Sequence, residues 1–129
     1  MAQKALIDSC ICIDYLRGVQ AAIYYLDEMR DKGWLRCSAV TYAELLAGCR
    51  NRREEQAVSR FISRFEVEPV TAEDSLNAIR LLKKHRFKNG LGWLDCLVAC
   101  AALRLHLPIA TLNEKHLQPI SGVKTICPY

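Results

Sequence analysis

Short apolar runs alternate with longer segments of helical periodicity, and this alternation constrains the fold more than any other feature of the chain. Five runs have the length of buried strands: residues 5–7, 35–37, 67–70, 108–110 and 123–126. Strands that alternate with helices usually pair in parallel, with helices covering both faces of the sheet. The sequence therefore predicts an α/β fold with a central parallel sheet.

The segments between these runs have the signals of amphipathic helices. In residues 53–65, one helical face collects Val58, Phe61, Ile62 and Phe65. Residues 94–105 carry a similar apolar stripe and form the most regular predicted helix. Thr71 is a good N-cap for a helix that runs toward Lys84, and a loop follows around residues 89–92.

The size and composition of the chain favour one folded domain spanning residues 1–129. A chain of 129 residues has the common length of a single domain, and we find no repeat or low-complexity linker. The longest apolar run, residues 97–103, is too short to cross a bilayer. Asp8 interrupts the apolar stretch that a secretory signal would need after Lys4. We therefore expect a cytoplasmic protein.

Seven cysteines are scattered along the chain without the paired spacing of a disulfide framework. Reduced thiols that pack as small apolar residues are the expected state. Cys10-x-Cys12 and Cys96-x3-Cys100 offer zinc ligands as an alternative, although no further His or Cys pair completes a tetrahedral set.

The positive charge is concentrated in two segments. Of the 18 Lys and Arg residues, nine lie in these segments: Arg50, Arg52, Arg53, Arg60, Arg64, Lys83, Lys84, Arg86 and Lys88. Such clusters attract phosphate backbones and give salt-dependent binding to nucleic acids. Solvated helix faces explain them equally well at this point.

Three acidic residues follow predicted strands or begin predicted helices. Asp8 ends the first strand, Glu44 lies on the helix after the second strand, and Asp95 begins the most regular helix. Ligands of parallel α/β sheets bind beyond the carboxyl ends of the strands. Each acid also has a structural explanation. Asp8 can cap a helix, Thr41-x-x-Glu44 fits a capping box, and Asp95 can stabilise the start of its helix by interacting with the helix dipole.

Taken together, the three acids predict a cation site if they converge on one edge of the sheet. Two carboxylates about 4 Å apart repel each other by roughly 4 kcal/mol at an effective dielectric constant near 20. A divalent cation relieves this repulsion. Oxygen-only ligands favour Mg²⁺ or Mn²⁺ over zinc.

The order of these motifs resembles that of PIN-domain nucleases, especially VapC-type toxins. The resemblance covers essentially the whole chain and is carried by Asp8-Ser9, Thr41-x-x-Glu44-Leu45, Asp95-x-x-Val98-Ala99-x-Ala101 and Thr111-x-Asn113-x-x-His116-Leu117. It implies a PIN-like fold with strand order 3-2-1-4-5. It also implies that Asp8, Glu44 and Asp95 hold Mg²⁺ or Mn²⁺.

The last motif departs from the family pattern. Asn113 takes the position of an acid, and His116 stands where an acidic residue commonly precedes an aromatic one. As a catalytic-site residue, Asn113 can offer a carbonyl oxygen but no charge, or it can simply cap the next turn. Glu114 is a weaker candidate ligand. Ser9 and Thr111 are expected to support the acids through hydrogen bonds.

The resemblance implies an endoribonuclease toxin that cleaves tRNA or ribosomal RNA and is inhibited by a VapB-type antitoxin. A metal-bound water would hydrolyse the phosphodiester bond and leave a 5′-phosphate and a 3′-hydroxyl. Flanking phosphates would be held by basic residues: Arg50, Arg52, Arg53, Lys83, Lys84 and Arg86. We expect no membrane contact, and a homodimer is predicted.

Other interpretations stay open on the sequence alone. The chain can be a catalytically inert RNA- or partner-binding domain, whereas a phosphoacceptor signalling domain lacks a convincing lysine near a late strand. The three histidines, His85, His106 and His116, have no partners at obvious spacing and are expected on the surface or in packing roles. A partner or second copy can bind an aromatic and apolar face, although core packing explains the same residues: Tyr24, Tyr25, Leu26, Val58, Phe61, Ile62 and Phe65.

Overall fold

A computed structural model describes residues 2–129. Within them, short strands and helices alternate along the chain. The strands are β1 (Leu6–Ile7), β2 (Arg36–Ser38), β3 (Glu66–Glu68), β4 (Ile109–Ala110) and β5 (Thr125–Ile126). The helices are α1 (Ser9–Leu16), α2 (Gln20–Asp31), α3 (Ala39–Ala47), α4 (Arg52–Ile62), α5 (Ala72–Asn89), α6 (Trp93–Leu105) and α7 (Glu114–Leu117). The predicted α/β class is confirmed.

All strand pairs in the described part of the chain are parallel. One ladder has the order β1-β4-β5, and a second joins β2 to β3. Strands β1 and β2 lie in contact, but no ladder of hydrogen bonds joins them within residues 2–129. The order inside each ladder agrees with 3-2-1-4-5, while the step from β2 to β1 stays a prediction.

Helix α5 is longer than its sequence pattern indicated. A capping box between Thr71 and Asp74 starts it, and it continues past Lys84 to Asn89. No Gly or Pro interrupts residues 72–89, and Gly90 ends the helix in the left-handed region with φ 67°. The second basic segment is therefore helical, and only a short loop separates it from α6.

Two apolar clusters form the core. The first contains Val58, Phe61 and Ile62 of α4, and the ring of Phe61 stacks on Tyr15 with centroids 4.8 Å apart. The second surrounds α6, whose residues 96–102 are all buried. The apolar stripe of α4 is thus core rather than a free binding face, whereas Tyr24 is 81% exposed.

The register of the strands determines where the first carboxylate lies. Ile7 pairs with Ala110, so the residues that follow them, Asp8 and Thr111, leave the same edge of the sheet side by side. Strand β2 runs directly into α3 at Ser38. The carboxyl ends of these strands and the start of α6 therefore surround one region of the surface.

The seven cysteines form no disulfide within residues 2–129. Cys12, Cys37, Cys96 and Cys100 are buried as apolar residues in the two clusters. In the same part of the chain, no helix combines the length and the apolarity that are needed to span a bilayer.

Candidate active site

Asp8 lies at the junction of β1 and α1 and has both oxygens in hydrogen bonds. Oδ1 accepts from the backbone N–H of Ser9 at 2.9 Å, and Oδ2 accepts from the hydroxyl of Thr111 at 2.8 Å. Its cap role is therefore real, but it does not explain the bond to Thr111, which comes from another strand end. Ser9 supports Asp8 through its backbone N–H.

Glu44 has no capping role. The N-cap of α3 is Ser38, whose hydroxyl accepts from the N–H of Val40 at 3.1 Å. Thr41 lies inside the helix with a buried hydroxyl that has no partner among the described residues. The capping-box interpretation of Thr41 and Glu44 is wrong because the helix begins two residues earlier. Glu44 is exposed, and neither of its oxygens accepts a hydrogen bond within residues 2–129.

Asp95 occupies the first turn of α6. Its Oδ2 accepts from the backbone N–H of Gly92 at 3.2 Å, which is the half of a capping box that a glycine N-cap permits. The same oxygen lies 3.1 Å from Nε2 of His116 on α7. The helix-start role predicted as an alternative is present, yet it leaves Oδ1 without a hydrogen-bond partner in the described chain.

The three carboxylates lie within electrostatic reach of one another. Partial desolvation raises the pKa of Glu44, and the negative charges of Asp8 and then Asp95 raise it further. The cluster is an open one: within residues 2–129, no three His, Cys, Asp or Glu side chains already enclose a metal-sized space. The structure therefore brings the three acids to one region, with the spacing between them still wide.

The donor set suits a hard divalent cation. Glu44 offers two carboxylate oxygens without hydrogen bonds and Asp95 offers one, in a region where the nearby charges are negative. Carboxylate oxygens are the ligands of Mg²⁺ and Mn²⁺, whereas zinc prefers nitrogen and sulfur. A cation between these acids would offset the mutual repulsion that raises the pKa of Glu44.

The segment after β4 supports Asp8 through a chain of hydrogen bonds. The N–H of Asn113 donates to the hydroxyl oxygen of Thr111 at 3.0 Å, and this hydroxyl donates to Asp8. The side chain of Asn113 is exposed and makes no capping hydrogen bond, although it occupies the N-cap position of α7. Glu114 is turned away, because its carboxylate accepts from the hydroxyl of Thr125 on β5 at 2.5 Å.

Two residues near the acids were not among the predicted site residues. His116 contacts Asp95, so the expectation that it lacks a partner is wrong. The Sγ of Cys10 lies 3.7 Å from Asp8 Oδ2 and 3.5 Å from Thr111 Oγ1. The spacing of Cys10, two residues after Asp8 in a helix, was available in the sequence. The pairing of His116 with Asp95 depends on the tertiary fold and left no local signal.

A groove of about 640 Å³ runs from Glu44 between α1, α3 and α4. Its walls are mainly apolar, and Ile13 and Leu16 on α1 are exposed at its edge. Arg50 also lines the groove, but its guanidinium is held by Glu54 through an ion pair of 3.1 Å. The groove beside the acids thus combines apolar walls with acidic and basic groups.

The predicted RNA-contact residues fall into two different environments. Arg52 and Arg53 are exposed in the first turn of α4, two and three residues after the paired Arg50. Lys83, Lys84 and Arg86 are exposed on the last turns of α5, and none of them forms an ion pair within residues 2–129. Arg52 and Arg53 also form no ion pair in the described residues, so among the predicted RNA contacts Arg50 is the one whose charge is paired.

A family comparison decides the relationship of the chain. The PIN-domain family model matches residues 5–119, which include all three acids and Asn113. The chain belongs to the PIN-domain family. Among curated PIN relatives, ribonuclease VapC10 of Mycobacterium tuberculosis is 36% identical over 120 residues, covering 92% of this chain and 90% of the relative. Ribonuclease VapC19 of the same organism is 33% identical over 113 residues, covering 86% and 90%.

Solved structures agree on the PIN fold. The chain aligns with a VapBC2 complex from Rickettsia felis bound to promoter DNA at a TM-score of 0.80 and 18% identity, covering 96% of this chain and 98% of the other. A DNA-bound VapBC complex from Salmonella typhimurium also gives 0.80, at 20% identity, with 97% and 98% covered. The chain is a VapC-type PIN domain, and the family resemblance of its motifs is confirmed.

Proposed function

We propose that this PIN domain is a Mg²⁺- or Mn²⁺-dependent endoribonuclease and the toxin of a VapBC-type pair. The observation that carries the proposal is the convergence of the three acids: the segment from Thr111 to His116 contacts both Asp8 and Asp95, and these two charges add to the desolvation that raises the pKa of Glu44. None of the three carboxylates forms an ion pair with Lys or Arg within residues 2–129, so a divalent cation is the proposed counter-charge. The curated relatives that span the chain carry the name ribonuclease, which supports RNA as the substrate.

The chain's own residues have distinct tasks in this proposal. Asp8, Glu44 and Asp95 hold the cation, and Thr111 and the N–H of Ser9 keep the carboxylate of Asp8 in its orientation. When bound, Mg²⁺ or Mn²⁺ would polarise a phosphoryl oxygen and lower the pKa of a coordinated water. Asn113 lies at the rim with an unengaged side chain that is able to contact the scissile phosphate or a water.

The RNA backbone is held by cations outside the acidic site. The candidates are the exposed basic residues that no carboxylate neutralises in the described chain: Arg52, Arg53, Lys83, Lys84 and Arg86. Arg50 contributes only if RNA displaces Glu54. The products carry a 5′-phosphate and a 3′-hydroxyl, and tRNA or ribosomal RNA is the proposed target class.

A cleavage assay on purified tRNA and ribosomal RNA, with Mg²⁺, with Mn²⁺ and with chelator, would test the proposed chemistry. Wild type is expected to cut only with metal, and Asp95→Asn is expected to be inactive in all three conditions. Asp31→Asn, an exposed change at the end of α2, is the matched control and should cleave like wild type. Equal cleavage by wild type with metal and with chelator would remove the metal-dependent mechanism.

A VapB-type antitoxin is the proposed occupant of the groove beside Glu44. The solved relatives in VapBC complexes support such a partner, and the exposed Ile13 and Leu16 offer apolar contacts at the groove. A basic side chain of the bound segment would reach the acidic cluster and block it. Leu16→Glu is expected to abolish co-purification with the co-expressed product of a neighbouring short reading frame, whereas Tyr24→Glu is expected to preserve it.

A homodimer is also proposed, but on another surface than the predicted aromatic face. Leu76, Ile79 and Phe87 on α5 are 62%, 43% and 86% exposed and recur at helical spacing. A second copy that packs on this face would bury them. Sedimentation is expected to give a dimer for wild type and a monomer for Leu76→Glu. A monomeric wild type at high concentration would contradict the dimer.

A catalytically inert RNA- or partner-binding domain is the second candidate. It is favoured by Asn113 in the position of an acid and by the open spacing of the acids in residues 2–129. RNA binding without cleavage, together with no specific Mn²⁺ binding, would establish this alternative.

A further inference from the structure

The segment from Thr111 to His116 contacts two of the three acids at once. At one end, the hydroxyl of Thr111 donates to Asp8 at 2.8 Å. At the other end, Nε2 of His116 lies 3.1 Å from Oδ2 of Asp95. Asp8 and Asp95 are 87 positions apart in sequence, and this short segment joins them. Its geometry therefore influences how the two carboxylates are oriented relative to each other.

His116 is held in a fixed position by its neighbours on α7. Leu117 is 4% exposed and Ile120 is 1% exposed, so the residues that follow His116 are anchored in the cluster around α6. Glu114 fastens the start of α7 to Thr125 on β5. The side chain of His116 is itself only 28% exposed. An imidazole mounted on such a support can hold a partner in place.

The two carboxylate oxygens of Asp95 differ in their hydrogen bonds, because His116 and Gly92 both contact Oδ2. A carboxylate only accepts hydrogen bonds, so Nε2 of His116 carries the proton and donates it to Oδ2. The N–H of Gly92 donates to the same oxygen. Both known partners thus hold Oδ2, and Oδ1 is left without a hydrogen bond in residues 2–129.

Resting on the proposed metal-dependent function, we propose that His116 is a positioning residue that fixes the carboxylate of Asp95 and keeps Oδ1 directed for cation binding. Outer hydrogen bonds to ligating groups typically contribute a factor of 10 to 100 in metal affinity. Without His116, the N–H of Gly92 would be the one remaining hydrogen-bond donor to Asp95 in the described residues, and the carboxylate would be free to rotate. The assignment gives His116 a role that its position in the last motif does not itself reveal.

The test is a Mn²⁺ titration of the RNA-free protein, followed by electron paramagnetic resonance. His116→Leu keeps an apolar side chain of similar size but donates no hydrogen bond, and it is expected to weaken the Mn²⁺ dissociation constant by about 10-fold or more. His116→Gln retains an N–H donor and is expected to restore most of the affinity. His106→Asn is the control at the other end of α6, where the left-handed backbone suits Asn, and it should bind like wild type.

Kinetics supply an independent measurement. His116→Leu is expected to raise the Mn²⁺ concentration needed for half-maximal cleavage, whereas the KM for RNA at saturating Mn²⁺ stays that of wild type. Wild-type Mn²⁺ affinity in folded His116→Leu would overturn the assignment, and so would a His116→Gln variant as weak as His116→Leu. If His116→Leu does not fold, His116→Ala takes its place: weakened Mn²⁺ binding is expected, and wild-type affinity would overturn the assignment.

The same titration separates this inference from the proposed function. If wild type binds no Mn²⁺ at a specific site, the metal-dependent function itself fails. If wild type binds and cleaves while the His116 variants are indistinguishable from it, only the role of His116 is refuted.

Discussion

Helix α6 has a group of carboxylates near each of its ends, and the two groups are compensated in opposite ways. At its last turn, Arg104 donates to Asp74 at 2.9 Å and to Glu68 at 2.6 Å, and Arg36 adds a bond of 2.9 Å to Glu68. At its first turn, Asp95 joins Asp8 and Glu44 without any Lys or Arg in an ion pair with them within residues 2–129.

The pKa values of the two groups move in opposite directions. Hydrogen bonds from Arg104 and Arg36 hold the pKa of Glu68 below its ordinary value. Burial alone would raise the pKa of Asp74, but the bonds from Arg104 and the N–H of Thr71 lower it overall. The pKa of Glu44 is raised instead, by desolvation and by Asp8 and Asp95. Carboxylates that stabilise the fold carry their counter-charge within the chain, whereas the three acids of the candidate site form no ion pair with Lys or Arg in residues 2–129 and have the proposed cation as their counter-charge.

The largest expected difference between the two groups is in activity. Asp8→Asn removes one charge from the candidate site, and cleavage of RNA is expected to fall by about 10³-fold or more because several kcal/mol of charge stabilisation are lost. Its free energy of unfolding should change by no more than about 1 kcal/mol, because the amide oxygen of Asn keeps one of the two hydrogen bonds from Ser9 and Thr111. Asp74→Asn should give the reverse, with reduced stability and wild-type activity per folded molecule. Equal losses of cleavage activity in Asp8→Asn and Asp74→Asn would contradict the assignment of the two carboxylate groups to different roles.

The second expected effect concerns stability. Arg104→Met leaves Asp74 buried without its cation, and breaking such a pair costs about 3 kcal/mol. The melting temperature should fall by roughly 10 °C, as measured by circular dichroism. Arg30→Met removes an exposed pair with Asp27 and is the control, with an expected change of less than about 1 kcal/mol. A loss no larger than in Arg30→Met would mean that Arg104 is not a structural counter-charge.

Acid should remove the stabilisation that the Arg104 group provides. The pKa values of Glu68 and Asp74 are lowered in the folded state, so their contribution is present above the unfolded pKa, about 4, and is lost as the pH falls through the folded values. Urea unfolding from pH 6 to pH 3 should therefore show a declining free energy. Arg104→Met should decline less steeply, and an identical slope would contradict the assignment.

The smallest expected effect is a gain in stability at the candidate site. The pKa of Glu44 is raised by folding, so its contribution is favourable below the unfolded pKa and is lost as the pH rises through the folded value. Without metal at pH 7, Glu44→Gln should be more stable than wild type by less than about 1 kcal/mol, since Glu44 is exposed. The gain should vanish near pH 4. Glu28→Gln, also exposed, is the control, and an equal gain there would make the effect nonspecific.

Sequence patterns predicted the strands and most helices well because those signals are local, while the roles of the three acids stay predictions. The apolar runs and helical stripes correspond to observed elements, but only Asp8 lies at a strand-to-helix junction, whereas Glu44 lies within α3 and Asp95 lies in the first turn of a helix that follows α5. Helix α5 was underestimated because residues 85–89, which are polar except for the exposed Phe87, continue the helix as far as Gly90. The capping box at Thr41 was wrong because Ser38 competes for the same role three residues earlier.

Contacts between distant segments had no such signal. His116 meets Asp95, and Arg104 meets Glu68 and Asp74, only because the tertiary fold brings separate elements together. The aromatic face suggested for a partner was largely core, since amphipathic spacing does not tell which surface will be covered. Periodicity thus defines elements and their faces, while the pairing of charges depends on packing.

Direct measurement of Mn²⁺ binding to the RNA-free protein tests the central claim that Asp8, Glu44 and Asp95 together bind a divalent cation. Isothermal titration is expected to show one specific site in wild type and in Asp74→Asn, and none in the double variant Asp8→Asn/Asp95→Asn. Binding should also stabilise wild type by about 3 kcal/mol at a free concentration 100 times the dissociation constant. Unchanged Mn²⁺ binding by the double variant would contradict the account.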